Sequence, residues 1–193
     1  MSMTECKQAA LIANEAVHRD RLTGCYDKMT IQHLTELCFS KSGRHQSHAM
    51  FVIDVDNFKK VNETWGQEFG DIVLNDIAAV LRRIFRRSDY IGRIGDAVFL
   101  VLLQDVETER LSEKKAQEFY KALDTLFSAR GDERYKPSCS VGIARYPVDG
   151  TSFETLFQSA EAALCEAKRR GRNRVAFASD GFPVSCSPVI HRC

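Results

Sequence analysis

Residues able to do chemistry are gathered in a few places along this 193-residue chain. Asp54 and Asp56 stand one residue apart at the end of the apolar run Ala49-Met50-Phe51-Val52-Ile53. A carboxylate in that place either caps the following helix by accepting from its free N–H groups, or joins other carboxylates in holding a divalent cation. Basic residues concentrate twice, at Arg82, Arg83, Arg86 and Arg87 and again from Lys168 to Arg172. Cations near a helix end complement its dipole, and an arginine fork also binds phosphate. The seven cysteines have no Cys-x-x-Cys spacing, and His45 and His48 lie in a polar stretch with no partner at ligand spacing, so they read as solvated.

Composition removes several classes of function. The net charge of +1 and pI near 7.6 provide no global field to draw the chain to nucleic acid or an acidic membrane. No run of about 18 apolar residues is present, and Glu5, Cys6 and Lys7 stand where a signal peptide needs an apolar stretch. A cytoplasmic location is expected, and with it free thiols rather than disulfides.

The elements that must position these residues follow from periodicity. A lead-in helix is expected over 5–19, ending at Asp20-Arg-Leu-Thr-Gly24. A second over 27–41 would present Met29, Ile31, Leu34, Leu37 and Cys38 on one side. The run Ala49 to Ile53 is apolar on both alternating sets, which marks a strand covered on both faces. Helices are expected over 57–62, 70–87, 108–129 and 152–170. Strands are expected over 138–145 and 174–177, with a hairpin built from Tyr90–Arg93 and Val98–Leu103. The order predicts an α/β sandwich, helices flanking a central mixed sheet, as one domain over 20–178. Residues 1–19 form the lead-in, and a tail without regular structure runs over 179–193.

Five motifs in this order resemble those of the GGDEF family, which includes diguanylate cyclases. Asp20-Arg-Leu-Thr-Gly24 is similar to its D-x-L-T-G, and Asp54-Val-Asp-Asn-Phe-Lys-Lys-Val-Asn62 to its D-x-D-x-F-K-x-x-N. Trp65-Gly66 and Phe69-Gly70-Asp71 resemble G-H-x-x-G-D with Gln67 in place of His. Ser140-Val-Gly-Ile-Ala144 resembles S-[IV]-G-[IV]-A, and Ala167-Lys-Arg-Arg-Gly-Arg-Asn173 resembles A-K-x-x-G-R-N. The signature itself has decayed: Gly95-Asp96-Ala97-Val98-Phe99 stands where the family has G-G-D-E-F.

The resemblance implies a palm-like nucleotide-cyclase fold and a site for GTP with Mg²⁺, in which Asp54 and the Val55 carbonyl would be metal ligands. The opposing ligand would come from Ala97, which has no oxygen, and Val98 removes a second carboxylate. Loss of two such groups predicts a catalytically dead domain. A slipped alignment placing Asp96 in the third position would rescue the metal site, at the cost of an insertion and a deletion. Asn62 and Asp71 match family positions that hydrogen-bond guanine, and Lys168 and Arg172 match phosphate contacts. Arg86-Arg-Ser-Asp89 resembles the R-x-x-D site that binds cyclic di-GMP, although a cation-rich helix end explains its arginines equally well.

Three readings follow. The leading one is an inactive sensor or scaffold in a bacterial signalling system that binds cyclic di-GMP or GTP, with a homodimer and a protein partner implied. The others are a residual diguanylate cyclase and a ligand-free interaction module. Trp65 is expected to pack rather than stack on a base.

Overall fold

The computed structural model describes residues 17–43, 46–106, 108–129 and 137–180. Its elements are α1 (Lys28–Lys41), β1 (His48–Val55), α2 (Phe58–Trp65), α3 (Gln67–Ile84), β2 (Tyr90–Arg93), β3 (Val98–Leu103), α4 (Glu109–Ala129), β4 (Cys139–Tyr146), α5 (Phe153–Arg169) and β5 (Val175–Phe177), followed by a 3₁₀ turn over Ala178–Asp180. The expected lead-in helix lies outside the described residues up to position 16. Its last part is not helical, because Arg19 forms an isolated antiparallel bridge with Tyr26. The expected tail likewise lies outside the description from 181 onward, while Ser179 and Asp180 belong to the 3₁₀ turn.

Strand order is β2-β3-β1-β4-β5. Every pairing is antiparallel except β4 with β5, so the sheet is mixed. β1 is central because both of its alternating faces are apolar. Phe51 and Ile53 pack with Val73, Leu74, Ile77 and Leu81 of α3 and with Phe119 and Leu123 of α4. Met50 and Val52 face the other way, with Ile31 and Phe39 of α1 and Leu156, Ala160 and Leu164 of α5. Each such side chain, fully removed from water, contributes on the order of 1.5–3 kcal/mol. Two cores thus clamp β1 and fix where its last residues, Asp54 to Asp56, emerge.

Local signals set the helix starts. Asp27 caps α1 by accepting from the Thr30 amide at 2.8 Å. Ser152 and Thr155 form a capping box on α5. The inward face of α1 differs from the expected one: Thr30, Ile31, Thr35 and Phe39 are buried, while Met29 is 73% exposed. Sequence spacing alone could not choose between two neighbouring stripes of a weakly amphipathic helix. Ile72 of α3 is also exposed.

Two further expectations are corrected. His48 is not solvated but 2% exposed, as the first residue of β1. It reaches Ser42 Oγ at 2.7 Å through Nε2 and accepts from the Asp105 amide at 3.2 Å through Nδ1. Cys25, Cys38 and Cys139 are free thiols, but Cys165 is disulfide-bonded. Among the described residues, no helix is long and apolar enough to cross a membrane.

Candidate functional site

β1 delivers Asp54 to the edge of the buried region with Val98 beside it on β3 and Ser140 on β4. Lys168, in the last turn of α5, places its Nζ 2.9 Å from Asp54 Oδ1, with side chains 23% and 13% exposed. Burial raises the Asp54 carboxyl above its usual range, and the Lys168 ammonium opposes that shift by charge and hydrogen bond. Arg172 adds its positive charge and Asp56 its negative one. Ala97 and Val98 are buried and supply no side-chain oxygen. The Ala97 carbonyl accepts from the Val55 amide at 3.1 Å. A pair of divalent cations needs converging oxygens. Here one carboxylate is joined to an ammonium and the position facing it is a valine, so this donor set does not fit them. Among the described residues, no group of three or more His, Cys, Asp or Glu is placed to hold a metal ion.

Asp56, two residues on, has a role the sequence reading missed. It is buried and accepts from Ser138 Oγ at 2.8 Å, Ser140 Oγ at 2.7 Å and the Asn173 amide at 3.0 Å. Arg172 and Asn173 both have left-handed backbone, at φ 64° and 48°. Such residues carry strain that surrounding bonds must hold. Asp56 supplies one of those bonds, and so ties the loop carrying Arg172 to the end of β1. The serine of Ser140-Val-Gly-Ile-Ala144 was the available signal, since a buried hydroxyl needs a partner.

Asn62 lies on α2, and its Oδ1 is buried with no hydrogen-bond partner. The space it occupies exists because residue 70 is glycine: a Cβ there would come within 2.0 Å of Asn62 Oδ1. Asp71 follows on α3 and is exposed. Trp65 packs on Phe69 with ring centroids 5.7 Å apart, as expected. The structure therefore brings Asn62 against Gly70 between α2 and α3, with Asp71 next along α3, and gathers Asp54, Lys168 and Arg172 at the end of β1.

The Arg86 to Asp89 segment is a turn held by its acid. Asp89 is 6% exposed; its Oδ2 accepts from the Arg86 amide at 2.7 Å and its Oδ1 from the Gln104 amide at 3.1 Å. Arg86 remains exposed, with Arg83 and Arg87. The two residues do not meet through their side chains: Asp89 shapes the turn that presents Arg86.

Asp96 lies in the connection between β2 and β3, outside both strands. Its carbonyl accepts from Arg93 Nη2 at 2.6 Å. Phe99 is fully buried and pairs with both Arg93 and Ile53, and Gly95 sits in the turn before it.

Comparison with known proteins agrees with this architecture. The family model described as "Diguanylate cyclase, GGDEF domain" matches residues 17–174. The chain is 29% identical over 175 residues to the probable diguanylate cyclase DgcT of Escherichia coli, covering 86% of this chain and 37% of that protein. It is 37% identical over 130 residues to the E. coli diguanylate cyclase DosC, covering 66% of this chain and 27% of DosC. Both relatives are thus much longer than the part matched. Among solved structures, the isolated GGDEF domain of YfiN (TpbB) from Pseudomonas aeruginosa superposes with a TM-score of 0.76 at 26% identity, covering 83% of this chain and 94% of that one. The diguanylate cyclase SiaD, solved with its activator SiaC from the same organism, gives 0.75 at 30% identity, covering 90% and 66%. A GGDEF domain described in an interaction with cyclic di-GMP gives 0.68 at 25% identity, covering 82% and 95%. With its motifs, sheet order and nearly full-length family match in agreement, this chain belongs to the GGDEF family.

Proposed function

We propose that this GGDEF domain is a non-catalytic, nucleotide-binding module of cyclic di-GMP signalling, which takes a guanine base between α2 and α3 through Asn62 and Asp71. The observation that carries the reading is the buried Asn62 Oδ1 without a partner. A buried acceptor left unpaired costs about 1–3 kcal/mol, a penalty that a guanine N–H donor removes. The exposed Asp71 carboxylate suits the remaining donors on the same edge of the base. Catalysis is set aside because Ala97 and Val98 bring no charge to the end of β1. Each missing charge-stabilising group lowers such rates on the order of a hundredfold or more.

Cyclic di-GMP at the Arg86 turn is the second reading. The exposed Arg83, Arg86 and Arg87 favour it, since guanidinium forks bond phosphate or stack on a purine. The GGDEF domain described with cyclic di-GMP gives it a precedent in the family. A homodimer belongs to the same proposal, and so does a protein partner, which the complex of SiaD with its activator SiaC exemplifies for a relative.

Calorimetric titration with cyclic di-GMP and, separately, with GTP and Mg²⁺, followed by chromatography of the GTP sample, tests these readings. Nucleotide binding without turnover supports the module. Cyclic di-GMP formed from GTP would restore the cyclase reading, and silence throughout would leave a ligand-free interaction domain.

A further inference from the structure

The carboxyl end of β1 holds a fixed charge arrangement of its own. Asp54 Oδ1 is 2.9 Å from Lys168 Nζ, with both side chains mostly withdrawn from water. Asp56 is already taken by two serine hydroxyls and the Asn173 amide. Val98 stands opposite Asp54 in the sheet, and Ala97 precedes it. A divalent ion at Asp54 would have to displace Lys168, leaving an ammonium without its partner in a partly buried place, and breaking such a pair is costly. It would then find no second carboxylate to complete its shell.

A nucleoside triphosphate carries several negative charges that metal ions neutralise in a working site. Here the ammonium is compensated by Asp54, and the exposed Arg172 adds positive charge near that carboxylate. One phosphate suits one guanidinium fork. The second and third would meet the Asp54 carboxylate without a metal between them, a repulsive arrangement.

From this geometry we infer that Lys168 is a built-in cation that replaces the divalent ion at Asp54, so that the site takes a guanine nucleoside or monophosphate without metal and gains nothing from further phosphates. The choice of guanine rests on the reading of Asn62 above; the replacement of the metal does not.

Two measurements on the full chain separate these dependencies. Free Mn²⁺, followed by electron paramagnetic resonance during titration, reports metal binding without any nucleotide. Wild type is expected to take up no Mn²⁺ at micromolar concentration, whereas a Lys168→Met and Ala97→Asp double variant, shown folded by circular dichroism, gains a site. Stoichiometric uptake by wild type that Asp54→Asn abolishes overturns the inference, as does a folded double variant that gains nothing. In parallel, dissociation constants for GMP and GTP are measured in Mg²⁺ and in EDTA. They are expected to agree within about threefold across all four conditions. A loss of GTP affinity of about tenfold or more in EDTA overturns the metal-free site. Absence of binding by both nucleotides overturns the guanine reading and with it the ligand class; the role of Lys168 is then decided by Mn²⁺ alone.

Discussion

Arg93 Nη1 and the Asp20 carboxylate, 73 residues apart in sequence, meet at 3.2 Å on both carboxylate oxygens. Asp20 also accepts from the amide and hydroxyl of Thr23, at 2.8 and 2.6 Å, and Arg93 Nη2 reaches the Asp96 carbonyl. The opening Asp20-Arg-Leu-Thr-Gly24 is therefore a clip: a turn whose acid fastens the residues before the first helix to the β2–β3 connection. The side chains are 15% and 24% exposed, so the pair is better shielded than a surface one.

Removing this clip is expected to destabilise the domain by about 1–3 kcal/mol, read as urea midpoints of Asp20→Asn and Arg93→Ala. The loss should depend on pH in a definite sense. Burial pushes the Asp20 carboxyl up, but the Thr23 hydroxyl and amide and the Arg93 guanidinium outweigh it and hold it below its ordinary value. A depressed folded value contributes stability above the unfolded pKa of about 3.9, lost as pH falls through the folded value. Asp20→Asn should fall short of wild type at pH 7, with the gap narrowing below about pH 4. A gap that persists unchanged to pH 2 would show that the carboxylate charge is not what the clip uses.

Gly70→Ala tests the base pocket. The added methyl would come within 2.0 Å of Asn62 Oδ1, so the amide must move. Helix propensity favours alanine by about 1 kcal/mol, which offsets part of the steric cost. Guanine nucleotide affinity is expected to fall about tenfold or more, while the urea midpoint changes little. Equal loss in both, measured on one preparation, would place Asn62 in the core rather than in a binding site.

The sheet and its two cores were legible because β1 is apolar on both alternating faces, and because α3 and α5 repeat their apolar residues at helical spacing. Asp54, Lys168 and Arg172 were legible as a group through motifs. Their spatial relation was not, since Lys168 meets Asp54 across 114 positions of chain, a closure set by tertiary packing. The inward face of α1 was misread because Thr30 and Thr35 fill it: Thr35 satisfies its hydroxyl on the Ile31 carbonyl at 2.7 Å, and a threonine so bonded buries like an apolar residue. The bonds of Asp89 to the Arg86 and Gln104 amides were not legible, because sequence spacing does not say which way a carboxylate points.

Asp56→Ala removes the acceptor of three donors at once. Ser138 and Ser140 would lose their partner, and the left-handed Arg172-Asn173 loop would lose its tie to β1. A cost of about 3 kcal/mol or more is expected, larger than that of Asp20→Asn, because the group is buried and its bonds are charge-assisted. Hydrogen exchange should show the Asn173 amide losing protection before the strands do. Uniform loss across the sheet would mean that Asp56 supports the core and not the loop.

His48 provides a titratable group inside the fold. Its Nδ1 accepts from the Asp105 amide, so the ring is neutral with its proton on Nε2, donated to Ser42 Oγ. Phe39 and Tyr146 lie against the ring at centroid distances of 5.9 and 5.5 Å, and Cys38 Sγ is 3.8 Å from Nε2. Burial lowers the His48 pKa from its ordinary value, with the nearby Asp105 charge opposing. A depressed folded pKa means that the neutral form carries stability above the unfolded value of about 6.5, lost as pH falls through the folded one. Wild type should therefore lose thermal stability as pH falls below about 6.5 more steeply than His48→Gln, whose amide keeps a donor and an acceptor but does not titrate. Parallel melting curves for the two proteins across that range would mean that the Asp105 charge compensates the buried imidazolium in full.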